Sequence, residues 1–149
     1  MLLIGTKNFA TQTVLEGGVV GLGSVYRRYC KKNRCGIPAY SVTSNGISLQ
    51  HEGIYHLTAT FVGSGSAAGD LIIQLALNGV RVDGAVSTQT ITTADTEIRT
   101  WVIDYYVKVD SGCVLGVEST DVQSVSFVNV SDAVDATFTS VIVNVEKVV

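Results

Sequence analysis

A chain of 149 residues with a formal net charge of -3 can build one hydrophobic core and is short for two. Hydrophobic residues make up 46% and charged residues 15%, which excludes a disordered chain, and the negative balance argues against a general nucleic-acid binder. So little charge suggests a chain that either has little surface or covers much of it with copies of itself.

The first residues, Met1 to Lys7, contain an apolar run of four and no basic segment before it, so they do not read as a signal peptide. No later stretch approaches the ~18 uninterrupted apolar residues of a membrane span. Phe9 to Leu15 reads as a first strand, and Glu16-Gly17-Gly18 as a turn into Val19 to Leu22. Val25 to Tyr29 follows, and then a basic loop. Arg27, Arg28, Lys31, Lys32 and Arg34 are half of the ten basic residues, gathered within eight positions. Cys30 and Cys35 lie in this loop and Cys113 elsewhere. An odd count without a signal suggests a chain made in a reducing cytoplasm, where ordinary thiols are favoured. A disulfide between Cys30 and Cys35 after release from the cell is the alternative. Cys113 reads as a small core residue.

From residue 39 onward the apolar spacing is that of strands. Ala39 to Val42 and Gly46 to Leu49 are short ones. In Ile54 to Val62, the residues Tyr55, Leu57, Ala59 and Phe61 share a face opposite His56, Thr58 and Thr60. Gly63-Ser64-Gly65-Ser66 lacks a phosphate-loop lysine and reads as a flexible loop. Leu71 to Leu77 ends at Asn78-Gly79, a strong hairpin signal leading into Val80 to Val82. In the long strand Glu97 to Val109, Trp101, Ile103, Tyr105, Val107 and Val109 face the core. Val102, Asp104, Tyr106 and Lys108 occupy the other face. Asp110-Ser111-Gly112 turns the chain into Cys113 to Val117. Val122 to Val130 and Thr137 to Val148 complete the set. Eight or so short strands separated by turns predict an all-β sandwich or jelly roll.

Four stretches resemble one known family, the tumour-necrosis-factor-like and complement-type globular heads. Ile47 to Leu57 has its apolar strand followed by a Gly-x-Tyr element, here Gly53-Ile54-Tyr55. Leu75 to Val82 is similar to its Asn-Gly hairpin. Tyr105 to Leu115 resembles its aromatic strand and Gly-Asp turn, with Cys113 where the Asp would stand. Ala136 to Val143 looks like its closing strand. The resemblance covers residues 9–149. It implies a ten-stranded jelly roll assembled as a homotrimer, with residues 1–149 as one domain and residues 1–45 as N-terminal strands and basic loop. Within that family the chain looks most like small virion proteins of tailed bacteriophages. Spore-surface heads are a weaker comparison, since no Gly-X-Y stalk is present. In related heads the strand matching 97–109 lines the threefold axis. The resemblance therefore implies Val102 and Tyr106 as trimer-interface residues, apolar where a solvated strand would be polar.

No catalytic constellation or metal cage emerges. His51 and His56 sit in no recognised motif and read as surface or interface histidines. Asp132 with Asp135, and Asp95 with Glu97, lack the ordered spacing of a calcium loop and read as solvated carboxylates. Asn129-Val130-Ser131 matches a glycosylation sequon but has no secretory signal to give it meaning. No cofactor is expected. The basic cluster, Arg27, Arg28, Lys31, Lys32 and Arg34, reads as a docking site for an acidic capsid or tail protein, with a solvated loop as the near alternative and nucleic acid ranked last. The expected function is a non-enzymatic, trimeric virion structural protein, a capsid decoration or fibre component made in the host cytoplasm. The alternative is a trimeric head that binds a receptor or host glycan. It is weakened by the lack of an obvious exposed aromatic platform, since Trp101 points to the core.

Overall fold

The computed structural model describes residues 2–29, 32, 36, 38–110, 112–114, 117–119 and 122–149, with 112–114 and 117–119 described by their backbone alone. Among these, every regular element is a strand. They are β1 (Leu2–Asn8), β2 (Gln12–Val14), β3 (Ser24–Arg28), β4 (Tyr40–Thr43), β5 (Gly46–Leu49), β6 (Gly53–Gly65) and β7 (Gly69–Leu77). β8 (Val80–Ile91), β9 (Arg99–Val109), β10 (Gly112–Val114), β11 (Val117–Ser119), β12 (Gln123–Asn129) and β13 (Ala136–Lys147) follow.

One sheet has the order β3-β1-β13-β6-β9, with β2 also paired to β13. The other has the order β4-β5-β12-β7-β8, and β10 and β11 form a separate hairpin. The antiparallel pairs nest: β1 with β13, β5 with β12, β6 with β9, and β7 with β8. A long hairpin folded over on itself pairs its strands in this order, and that winding is a jelly roll. Among the described residues, no helix is long and apolar enough to cross a membrane.

Alternation dictates the core. On β6 the residues Tyr55, Leu57, Ala59 and Phe61 are fully buried, and on β9 so are Trp101 and Val109. Phe61 meets Phe127 at 5.2 Å and Phe138 at 5.6 Å between ring centroids, and Trp101 meets Phe138 edge-on at 5.6 Å. Such pairs add about 0.5–1.5 kcal/mol each beyond their buried area. The Trp101 indole N–H donates to the Leu71 carbonyl of the opposite sheet at 3.0 Å, so the deepest polar hydrogen of β9 has a partner. The Tyr55 hydroxyl donates to the His51 carbonyl at 2.6 Å, and burial pushes this phenol up to about 12. At the edge, the Gln89 amide donates to the Thr100 carbonyl at 3.0 Å and ties β8 to β9.

Four expectations are corrected. The first strand is Leu2–Asn8 rather than Phe9 to Leu15, and only Gln12–Val14 of the latter is strand. Leu3 and Ile4 are buried against the core, which accounts for the apolar start of the chain. Cys113 to Val117 is divided between β10 and β11. Arg27 and Arg28 belong to strand β3, opposite Gly5 and Ile4 of β1, and not to a loop. Gly63 to Gly65 is not a flexible loop either, because these residues continue β6 against Phe138, Thr137 and Ala136. The ladder passes from Phe138 opposite Gly63 to Ser140 opposite Val62, leaving Thr139 as an extra residue. At that bulge the backbones close in. A Cβ on Gly63 would lie 2.1 Å from the Thr137 oxygen. The Asn78-Gly79 hairpin forms as expected, with φ of 52° and 79°.

This close approach yields the first test. Gly63→Ala should lower unfolding free energy by about 1–3 kcal/mol, because backbone rather than a flexible side chain must move. Gly84→Ala, whose Cβ would meet nothing nearer than a Tyr105 ring carbon at 3.8 Å, should gain about 0.5–1 kcal/mol from strand propensity. Urea denaturation of both variants measures the contrast.

Candidate assembly and docking surfaces

Val102 and Tyr106 on the one hand, and Arg27 and Arg28 of the basic cluster on the other, lie on one sheet at opposite edges. β9 forms one edge and β3 the other, four strand spacings or about 19 Å apart. Trp101 and Ile103 point inward, so the period of two turns Val102, Asp104 and Tyr106 outward together. Val102 is 51% exposed and Tyr106 59%. The register sets three rows across the outer face. Ile142, Thr60 and Val102 form one, Asn144, Thr58 and Asp104 the next, and Glu146, His56 and Tyr106 the third. The first row is uncharged from β13 to β9 and meets Lys7 on β1 beyond Ile142.

The other two rows hold a polar cluster that the sequence reading did not assemble. His56 Nε2 lies 2.6 Å from Asp104 Oδ1. The imidazole also stacks on the Tyr106 ring, with centroids 4.7 Å apart and planes 17° from parallel. Lys108 pairs with Asp110 at 3.2 Å farther along the same edge. The signal was present in the parity, because any face holding residues 102 and 106 also holds 104.

At the other edge, Tyr26 crosses the outer face above Gly5 and donates its hydroxyl to Asn144 Oδ1 at 2.5 Å. A Cβ on Gly5 would stand 2.6 Å from the Tyr26 ring, so only glycine leaves room for this placement. The Lys7 ammonium stands 5.7 Å from the Phe9 ring and 5.9 Å from the Tyr26 ring, within cation–π reach of both. Arg27, Arg28 and Lys32 are exposed and make no ion pair among the described residues. Val25, Tyr26, Arg27 and Arg28 line a shallow depression of about 280 Å³. Lys31, Arg34 and the candidate disulfide of Cys30 and Cys35 lie outside the described residues. Cys113 lies in β10, whose side chains are likewise outside the description. Exposed aromatic rings do occur, contrary to expectation: Phe9, Tyr26, Tyr29 and Tyr106 all reach the surface.

Two of the carboxylates weighed as calcium ligands, Glu97 and Asp135, hold local hydrogen bonds instead. Glu97 accepts from the Thr92 backbone N–H at 2.6 Å and the Thr93 N–H at 3.2 Å, and Arg99 reaches it at 2.6 Å. These bonds hold its carboxyl down at about 2, the two backbone donors contributing most and burial opposing them. Asp135 accepts from the Glu16 N–H, while Glu16 accepts from the Ala133 N–H. No group of three or more His, Cys, Asp or Glu side chains among the described residues is placed to hold a metal ion. The sequon residue Asn129 is fully buried. Its amide donates to the carbonyls of Val14 and Val134, and its oxygen accepts from the Ser131 N–H.

No family model matches the sequence, and no curated protein matches it. Among solved structures the chain is similar to the PRD1 vertex protein P5, with a TM-score of 0.56 and 13% identity over 100% of this chain and 99% of that one. A CBM35 from Cellvibrio japonicus Abf62 gives 0.43 and 14% identity, over 93% of this chain and 97% of that one. A family 35 carbohydrate binding module from Clostridium thermocellum gives 0.42 and 10%, over 96% and 95%. At such identities the first likeness is one of fold, and the two modules fall too low to support an argument.

The Glu97 cluster makes the β8–β9 corner acid-sensitive. The folded carboxyl titrates at about 2 and the free one at 4.5, so on acidification the unfolded chain takes up this proton first. The contribution is therefore complete above about pH 4.5 and lost as the pH falls through about 2. Urea midpoints measured across that window should fall less steeply for Glu97→Gln than for the native chain. Parallel slopes would remove Glu97 as an anchor.

Proposed function

We propose that this chain is a non-enzymatic structural protein of a virus particle, a capsid decoration or fibre component that assembles as a homotrimer. In this reading residues 1–149 form one head of the tumour-necrosis-factor-like kind. The observation that carries it is the outer face of β9. Val102 stands half exposed beside the uncharged Thr60 and Ile142, and Tyr106 stands half exposed two residues beyond Asp104 on the same strand face. Exposed apolar side chains on either side of Asp104, on a sheet whose other face already fills the core, are surface suited to a second copy. The likeness to the PRD1 vertex protein P5, which runs the full length of both chains, supports a virion setting. The cationic edge supports attachment to an acidic protein surface: Arg27 and Arg28 are held on a paired strand rather than on a loose loop.

A receptor- or glycan-binding head is the second reading. It is favoured by Tyr106, whose exposed ring lies against His56 beside the Asp104 carboxylate, as a sugar platform would require. The two readings compete for the same ring. A partner copy that covers Tyr106 leaves it unavailable to a sugar.

Sedimentation at micromolar concentration should show a species of three chains. Val102→Asp should yield a folded monomer with its unfolding free energy lowered by only about 1 kcal/mol, the span of strand propensity, because the residue is exposed in the single chain. In the trimer the same change would bury three unpaired carboxylates. A Val102→Asp trimer of native stability would move the interface elsewhere.

For attachment, each exposed ion pair is worth about 0.2–1 kcal/mol alone, but three copies of the edge act together. Charge reversal at Arg27, Arg28 and Lys31 should reduce occupancy on purified particles, and added salt should reduce native occupancy in the same direction. Chain mass and folding should stay constant. Occupancy indifferent to both changes would make the cluster an ordinary solvated surface.

A further inference from the structure

We infer that assembly of this chain is proton-linked, through the His56–Asp104 pair set between the two apolar residues of the proposed interface. The inference rests on the trimer reading and names its regulation. Strand geometry makes the placement unavoidable: Asp104 lies midway between Val102 and Tyr106 on one face of β9, so a partner covering both covers the carboxylate. The carboxylate side chain is 58% exposed in the single chain, where water solvates it. Assembly removes that water.

His56 is built into this position. Its Nε2 is 2.6 Å from Asp104 Oδ1, and its ring is stacked on Tyr106. Among the described residues, the charged and titratable groups facing it are few. On β9 these are Asp104, Tyr106 and, farther along, Lys108 with its partner Asp110. On β13 it is Glu146, directly across from His56. The second sheet packs on the other face and contributes none.

The sign follows from counting charge. With a neutral imidazole, Asp104 and Glu146 leave two negative charges per copy beside His56, and six in three copies. With an imidazolium there is one per copy, and the carboxylate enters the interface as half of a neutral pair. Burying an uncompensated carboxylate is far costlier than burying a paired one. Association therefore takes up protons, up to three per trimer, and tightens as the pH falls through the range in which histidines ordinarily gain charge, about 8 to 5. Below about pH 4 carboxylates in general become protonated, and the compensation is lost.

Monomer–trimer equilibria of the full chain, measured by sedimentation at pH steps from about 8 to 5.5, test this. The concentration of half-assembly should fall about tenfold or more between pH 8 and 6. His56→Gln, which cannot gain the charge, should assemble weakly and with little pH dependence. Asp104→Asn should assemble tightly already at pH 8, also with little dependence. His51→Gln, altering the only other histidine, should keep the native slope. A native trimer whose midpoint ignores pH, or a His56→Gln variant that keeps the full slope, overturns the linkage and leaves the trimer standing. A chain that is monomeric at every pH overturns both.

Discussion

The indole N–H of Trp101 reaches across the sandwich to the Leu71 carbonyl, and the arrangement of the first sheet follows from that contact. A buried donor without a partner costs about 1–3 kcal/mol, so this ring has one acceptable direction. Once it points inward, the parity of β9 is set along its whole length. A slip of one residue would carry Asp104 and Lys108 into a core of Phe61, Phe127 and Phe138. The identity of the outward residues is thus a by-product of interior packing. The same constraint passes to β6, whose eleven-residue register with β9 aligns His56 with Tyr106 and Thr58 with Asp104.

Strands with one buried and one open face were legible in the sequence because alternation records burial directly. β6, β7, β9, β12 and β13 all fall where period-two spacing puts them, and the Asn78-Gly79 turn announces itself by composition. What escaped was structure set by a neighbouring strand. Leu2–Asn8 shows no alternation, since Leu3, Ile4, Gly5 and Thr6 are all buried, the glycine under the Tyr26 ring and the others against the core side. Gly63 to Gly65 looks like a loop until the Thr139 bulge beside it explains the need for a bare backbone. Of the surfaces, Val102 and Tyr106 could be placed from parity alone. The His56–Asp104 contact could not, because it depends on the register between two strands 48 residues apart in the chain.

The two outer faces differ in chemistry. The second sheet shows hydroxyls, with Ser48 and Ser124 bonded to each other at 2.9 Å and Thr90 bonded to Asp70 at 2.8 Å. Val86 stands exposed beside these hydroxyls, so this face is mixed rather than wholly polar. The first sheet instead divides its face between a cationic, aromatic edge at β3 and an apolar, titratable edge at β9.

Asn129 sits at the centre of a polar knot that joins three chain segments, accepting from Ser131 and donating to Val14 and Val134. An enzyme that attaches sugars to Asn-x-Ser acts on extended chain, before such a knot has closed. Produced through a eukaryotic secretory route, the nascent chain would present Asn129 while it is still accessible. A branched oligosaccharide on that nitrogen has no space in the finished fold and removes one of the two amide hydrogens. Replacing Asn129 to avoid the sugar would break the knot, whereas Ser131→Ala would abolish the acceptor at the cost of the bond from the Ile72 N–H to the serine hydroxyl. Bacterial expression avoids the choice altogether.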